Sequence, residues 1–183
     1  INGSPFLNDN FQEGSLELLD GRKAEKVLLR YNIAKDLFEI LKGGDTLTLN
    51  RPFAVKYVNV DDKTFMFDPK FREKADRSQN GYFQLKTQGK LSLFIKRTKK
   101  LNFDSFTENY KGGSGTKEYY YIDKVNYVAQ LNEGNPFLIS SSKKFIAQLD
   151  NHKSEVKSFI KENKIKLKKE EDVIKLVDYY NTL

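Results

Sequence analysis

The stretch PFLISSSKKFIAQLDNHKSEVKSFI, residues 136–160, is where the sequence changes its pattern. Up to Ile139 the chain consists of short apolar runs separated by turn signals, which is typical of antiparallel strands. After Ile139, apolar residues recur every three or four positions, which is the spacing of one face of an α-helix. The sequence therefore predicts an α+β protein in which an antiparallel sheet, residues 1–139, is followed by a C-terminal helical tail, residues 140–183. We expect the tail to pack on the sheet as part of one structural unit.

The tail is predicted to contain three helices. Any of the three serines at 140–142 can cap the first helix, and the capping pair Asp150-Asn151 predicts a break after it. A last helix is expected from about Lys169, with acidic residues in its first turn, where the helix dipole favours them. His152 has the same spacing as the apolar residues, so a packed role is expected for it rather than catalysis. The residues expected to be buried against the sheet are Phe145, Leu149, Val156, Phe159, Val173 and Leu176.

Turn dipeptides divide the first part of the chain into hairpins. Asp20-Gly21, Gly43-Gly44, Asp61-Asp62 and Gln88-Gly89 each separate two runs of strand-forming residues. Strands that are joined so tightly must run antiparallel. The pattern predicts a curved antiparallel β meander of about nine to eleven strands, either open or partly closed into a barrel.

The formal net charge of +7 comes from one segment, residues 77–103. This segment has seven basic residues and no acidic one, whereas the other 25 basic and 25 acidic residues balance. Its densest part, Lys96, Arg97, Lys99 and Lys100, is a candidate site for an anionic partner. The alternative is a solvated face whose lysines protect an edge strand, with a bulge or an exit from the core near these residues. We favour this alternative, because no aromatic stacking motif alternates with the charges.

A second candidate surface lies on the strand that is expected from Glu118. Alternation places Tyr119 and Tyr121 on one face with Asp123, and two aromatic rings beside a carboxylate suit a sugar ring or a peptide. Ordinary cross-strand pairing of aromatic residues explains the same pattern and is the favoured alternative. We expect this strand to end near Val125 and a further one to begin at Tyr127.

The sequence offers few groups for catalysis or metal binding. It has no cysteine and a single histidine, which excludes thiol chemistry, disulfides and cysteine-bound zinc. It contains no G-x-S-x-G motif, and Gly112, Gly113 and Gly115 form a predicted flexible loop without the spacing of a phosphate-binding loop. We therefore predict no catalytic residues, no metal site and no cofactor. A hydrolase that uses two carboxylates stays open as an alternative, because 25 acidic residues give many candidate pairs.

Four stretches of the chain carry a resemblance to known proteins. They are GSPFLNDNFQEG at 3–14, LRYNIAKDLFEI at 29–40, GKLSLFIK at 89–96 and FIKENKIKLKKEEDVIKLVDYYN at 159–181. Together they resemble a family of small exported proteins that is common in Bacteroidota. The resemblance implies a bacterial protein with a signal peptide, located in the periplasm or at the cell surface, and it implies no activity. A first residue other than Met, here Ile1, is expected where a signal peptide or another upstream segment has been removed.

These patterns favour a non-catalytic envelope protein that binds a ligand or partner through the concave face of its sheet or through the basic segment. The expected partner is an envelope protein, a glycan or another anionic ligand, and nucleic acid is not favoured. The alternatives are a carboxylate-based hydrolase and a polyanion-binding module built on residues 77–103. No apolar stretch reaches about 18 residues, so no membrane-spanning helix is predicted.

Overall fold

The structure is a computed structural model. It describes residues 1–49, 54–68, 71, 81–105 and 117–183. The glycine-rich loop that was predicted around residues 112–115 lies outside the described residues.

Within the described residues, ten strands form one antiparallel sheet. They are β1 (Gln12–Leu18), β2 (Lys23–Asn32), β3 (Leu37–Lys42), β4 (Asp45–Thr48), β5 (Val55–Val60), β6 (Lys63–Phe67), β7 (Tyr82–Thr87), β8 (Leu91–Ser105), β9 (Lys117–Leu131) and β10 (Phe137–Leu138). Their order across the sheet is β10-β9-β8-β7-β6-β5-β1-β2-β3-β4. The predicted class, an antiparallel sheet followed by helices, is confirmed, and the sheet is open rather than closed into a barrel.

The strand order follows the chain except at one place. β1 lies between β2 and β5, so the chain leaves β4 at one edge of the sheet and returns to the free side of β1. Two meanders, β1 to β4 and β5 to β10, are therefore joined by the pairing of β1 with β5. Gly14 permits this pairing, because a Cβ atom at this position would lie 2.2 Å from the carbonyl oxygen of Asn59.

The N-terminal segment, which we define as residues 1–11, shows that the sheet is strongly curved. Asn2 pairs with Tyr120 of β9, and Phe6 pairs with Asn32 of β2. β9 and β2 are six strand positions apart, which is about 29 Å in a flat sheet. The chain from Asn2 to Phe6, together with the two pairings, spans at most about 24 Å. The sheet must therefore bend toward the N-terminal segment.

Arg30 on β2 holds the N-terminal segment in place. Its guanidinium carbon lies 3.7 Å from the ring centre of Phe6 and 4.4 Å from that of Phe11. Its Nη1 donates to the carbonyl of Asp9 at 2.9 Å, and its Nη2 donates to Glu39 on β3 at 2.6 Å. A cation placed against two aromatic faces and a carboxylate is satisfied on all sides, so this residue fixes the segment against the sheet.

The hairpin of β8 and β9 is longer than the sequence indicated. The break predicted before Tyr127 was wrong, because the pairing of β8 with β9 is uninterrupted over all 15 residues of each strand. Near Lys96–Lys100 the predicted alternatives were a bulge or an exit from the core. β8 has no bulge against β9, and it leaves the core from Lys100 onward, since Lys100, Leu101 and Phe103 are exposed. β8 lies between β7 and β9, but β7 pairs only with Leu93–Ile95, so among the described residues the stretch with the lysines pairs with β9 alone. Lys96, Arg97 and Lys99 are in ion pairs with carboxylates, so their charges do not need to face solvent.

The tail folds as three helices, as predicted. They are α1 (Ser142–Ala147), α2 (Lys153–Glu162) and α3 (Glu170–Asn181). Ser141 caps α1, since its hydroxyl accepts from the backbone N–H of Lys144 at 3.3 Å. The break between α1 and α2 falls at the predicted Asp150-Asn151 pair, and α3 carries its acidic residues in the first turn.

The tail packs on the half of the sheet that contains β8 and β9. The buried apolar residues shared by the helices and these strands include Leu91, Leu93, Ile95, Phe145, Leu149, Val156, Val173, Leu176, Val177 and Tyr180. Of the six tail residues predicted to be buried, only Phe159 is half-buried instead, and it stacks on Tyr179 with ring centres 3.9 Å apart. Asn181 joins the end of α3 to β8, because its amide accepts from the N–H of Leu91 and donates to its carbonyl.

His152 is not part of the buried stripe, and that prediction was wrong. It immediately precedes α2 with a left-handed backbone, φ 55°, and its side chain is 30% exposed. Its Nδ1 lies 3.3 Å from Glu155 Oε1. Because the chain leaves helical geometry at this residue, the helical spacing that placed His152 among the apolar residues does not apply to it.

Candidate functional site

Among the described residues, the outer edge of β9 is paired only toward its two ends. β8 pairs along the inner edge. On the outer edge, Asn2 pairs with Tyr120, and β10 pairs with Val128 and Ala129. The stretch between these pairings, residues 122–126, is about 17 Å long. Among the described residues no strand lies beside it.

Two cavities open onto this uncovered stretch, and together we call them the β9 groove. One cavity, of about 300 Å³, lies toward the N-terminal segment, and the other, of about 510 Å³, lies toward β10 and the tail. They adjoin each other, because both are lined by Asp123, Lys124 and Val125. The smaller cavity has apolar walls from Phe6, Leu7 and Ile33, and the larger has walls from Tyr127, Leu138 and Leu167.

The β9 groove carries an excess of positive charge. Its cationic lining residues are Lys63, Arg97, Lys99, Lys124 and Lys168, and its acidic lining residue is Asp123. Lys124 and Lys168 are exposed, and within the part of the chain that the structure describes neither has an ion-pair partner. An anionic ligand would therefore be attracted to this groove.

The four basic residues predicted as an anion site do not form one continuous charged surface. Three of them are in ion pairs, namely Lys96 with Asp36, Arg97 with Glu170 and Lys99 with Asp123. Lys100 is the exposed member of the four. Arg97 and Lys99 line the β9 groove, whereas Lys96 and Lys100 do not.

The three residues of the second predicted surface, Tyr119, Tyr121 and Asp123, do not all lie at the same site. Asp123 lies in the β9 groove, but Tyr119 and Tyr121 do not line it. Tyr119 lies opposite Phe103 of β8, with ring centres 5.9 Å apart, and Tyr121 lies opposite Leu101. Each tyrosine therefore has the cross-strand apolar partner that ordinary pairing of aromatic residues requires.

A buried ion pair connects the corner between β2 and β3 with β7 and β8, and sequence reasoning missed it. Lys96 Nζ lies 2.6 Å from Asp36 Oδ1, and the two side chains are 1% and 0% exposed. Lys96 also donates to the carbonyl of Tyr82 at 2.7 Å, and the N–H of Gly81 donates to Asp36 Oδ2 at 2.7 Å. The hydroxyl of Tyr31 donates to Asp36 as well. Because these groups satisfy one another away from solvent, the cluster stabilises the fold and does not form an open site.

Two tyrosines beside this cluster are strongly affected by burial. Burial raises the pKa of the Tyr31 phenol well above its ordinary value, and the negative charge of Asp36 adds to the effect. Burial also raises the pKa of Tyr82, again with a contribution from Asp36. Both phenols are therefore protonated in the folded protein at neutral pH. They differ in one respect, because the hydroxyl of Tyr82 has no hydrogen-bond partner among the described residues.

Removing these two hydroxyl groups is expected to have opposite effects. Tyr31→Phe takes a hydrogen bond from a buried carboxylate and should lower the free energy of unfolding by about 1.5–3 kcal/mol. Tyr82→Phe removes a buried hydroxyl for which the described residues offer no partner, and it should raise the same quantity by about 1 kcal/mol. Urea unfolding of the two variants measures the difference. A loss of stability in Tyr82→Phe would contradict the account of its hydroxyl.

A separate, wider groove contains four carboxylates. It has a volume of about 850 Å³ and lies between β1, β2, β5 and β6. Its acidic residues are Glu13, Glu25, Asp61 and Asp62, and all four are exposed. A general acid needs a raised pKa, which usually requires burial. Among the described residues the buried carboxylate is that of Asp36, and it is paired with Lys96. The same part of the chain contains no group of three or more side chains suited to hold a metal ion.

Comparison with known proteins gives no match to this chain, whether with protein families, with curated proteins or with solved structures. Among the described residues, none of the helices has the length and apolar character needed to cross a membrane. What the β9 groove binds is therefore inferred from its own chemistry.

Proposed function

We propose that this protein is an exported, non-catalytic protein of the bacterial envelope that binds a ligand or partner in the β9 groove. The observation that supports binding is the groove itself, in which apolar walls and exposed cationic side chains meet beside an uncovered strand edge. Export is supported by the resemblance of the four sequence stretches to exported proteins. The absence of cysteine is compatible with an oxidising compartment.

The chemistry of the groove favours a ligand that has both apolar and anionic parts. Its two cavities, of about 300 and 510 Å³, have the size of small-molecule or side-chain binding sites. Leu7 and Ile33 offer apolar contact, while Lys124 and Lys168 offer charge at the rim. A ligand with only one of these properties would leave half of the groove without complementary contacts.

The experiment introduces a negative charge into the groove. Val125 lines both cavities and is 37% exposed, so Val125→Glu changes the charge of the groove without opening the core. Three probes are titrated calorimetrically: dodecanoate, a heparin oligosaccharide, and hexapeptides that alternate valine and glutamate. We expect at least one of them to bind the native chain near physiological ionic strength. We expect Val125→Glu to weaken that binding roughly tenfold or more.

The matched control is Leu47→Glu, which adds the same charge at another exposed apolar residue. Leu47 is 48% exposed and lies on β4, at the opposite edge of the sheet. Binding should be unchanged in this variant. Equal losses in both variants, or no binding of any probe by the native chain, would contradict the proposal. Conversion of a bound probe into a product would contradict its non-catalytic part.

A further inference from the structure

We infer that the occupant of the β9 groove is an extended acidic peptide segment of a partner protein, which pairs with the outer edge of β9 as an added strand. This inference rests on the proposed function and specifies its partner. It is carried by three observations: the direction of the backbone groups in the uncovered stretch, the pairing already present on the same edge, and the charge of the groove.

Backbone groups in the uncovered stretch point outward. In an antiparallel strand, the N–H and C=O of alternate residues point to opposite edges. Tyr119, Tyr121 and Tyr127 make backbone hydrogen bonds on the outer edge, at 2.7, 3.2 and 2.9 Å. Asp123 and Val125 have the same parity, so their N–H and C=O groups point outward as well. No described residue pairs with these four groups.

The same edge of β9 already accepts strands. Asn2 pairs there in parallel with Tyr120, and β10 pairs there in antiparallel with Val128 and Ala129. A peptide of about five residues would continue this row of pairings across the gap at residues 122–126. The flanking segments also decide what can enter. A second copy that docked through its own β9 edge would bring its N-terminal segment and β10 into the same space, which disfavours that symmetric pairing.

The walls of the groove indicate the sequence of such a peptide. Side chains alternate along an added strand, so some of them can contact the apolar walls of the two cavities, which include Leu7 and Leu138. Lys124 and Lys168 are exposed at the groove and outnumber Asp123, which itself lies near Lys99. A segment that alternates apolar and acidic residues is therefore the complementary partner.

A proline variant tests the backbone pairing. Val125→Pro removes an outward N–H, while the ladder to β8 uses the N–H groups of even-numbered residues such as Lys124. Val125→Thr is the matched control, because it keeps both the N–H and the shape of the side chain. The probe is a set of hexapeptides that alternate apolar residues with glutamate or aspartate, compared with the same set carrying lysine. We expect the acidic set to bind more tightly, Val125→Pro to weaken its binding roughly tenfold, and Val125→Thr to weaken it much less than Val125→Pro does.

A second arm changes the peptide and leaves the protein native. The tightest acidic peptide is N-methylated either at its odd-numbered or at its even-numbered amides. One of these two peptides should bind roughly tenfold more weakly, because its methyl groups replace the N–H groups that face β9, and the other should bind almost as well as the parent. Because the protein stays native, this experiment tests strand pairing even if Val125→Pro does not fold.

The outcomes separate this inference from the proposed function. Peptide binding that is insensitive to proline and to N-methylation would overturn strand pairing and leave the groove as a binding site. Binding of dodecanoate or heparin that Val125→Glu weakens, without any binding of acidic peptides, would also overturn the inference alone. Failure of all three probes would overturn both proposals, and Lys124 would then be a charge that protects the edge from pairing.

Discussion

Lys96→Met is expected to lower the free energy of unfolding by about 3–5 kcal/mol, because it removes one partner of a buried ion pair and leaves the Asp36 carboxylate in the interior. Urea unfolding followed by circular dichroism measures the loss. The matched control is Lys100→Met, which makes the same change four residues further along β8 at an exposed position. The control should stay within about 0.5 kcal/mol of the native chain.

A double-variant cycle tests whether the ion pair itself causes this loss. Asp36→Asn removes the charge and keeps an oxygen that can accept from the N–H of Gly81. We expect the combination of Asp36→Asn with Lys96→Met to cost less than the sum of the two single changes, by about 1–3 kcal/mol. Strictly additive losses, or a Lys96→Met variant as stable as Lys100→Met, would contradict the account.

Phe145→Ala should lower the free energy of unfolding by a similar amount, about 3–5 kcal/mol. Phe145 of α1 is fully buried between the tail and the sheet, with the ring of Phe137 6.2 Å away, so its removal leaves a cavity in the core. Phe159→Ala is the comparison, since Phe159 is half-buried and stacks on Tyr179. Its loss should be on the order of 1–2 kcal/mol in the same urea measurement. Equal losses would show that Phe159 contributes as much to the core as its helical spacing predicted.

Features with local signals were predictable from the sequence. Turn dipeptides such as Asp20-Gly21 located the hairpins, and the spacing of Phe145, Leu149 and Val156 located the buried face of the tail. His152 had the same spacing and was placed wrongly, because spacing assumes an unbroken helix and the chain takes a left-handed conformation there.

The buried ion pair had no local signal of this kind. Asp36 and Lys96 are 60 positions apart, and a lysine in a basic segment is ordinarily solvated. One pattern did indicate burial: Lys96 alternates with Phe94 and Thr98, both of which are buried on the same face of β8. The seven basic residues of the segment drew attention to its charge and away from this alternation.

The β9 groove depends on long-range arrangement, and the sequence indicated only parts of it. Arg97, Lys99 and Asp123 were selected as candidates and do line the groove. Phe6 and Lys168 were missed, because their positions follow from the pairing of the N-terminal segment with β9 and from the packing of the tail. An uncovered strand edge becomes visible only when the strand order is known.

We propose the β9 groove as the binding site of this protein, and a backbone-amide NMR titration of the whole chain with a hexapeptide that alternates valine and glutamate tests this directly. We expect the largest chemical-shift changes at residues 122–126, with smaller changes at Leu7 and Lys168, and we expect Val125→Glu to suppress them. The proposal would be contradicted if the largest changes fell around Asp61 and Asp62 in the wider groove, or if residues 122–126 showed no change.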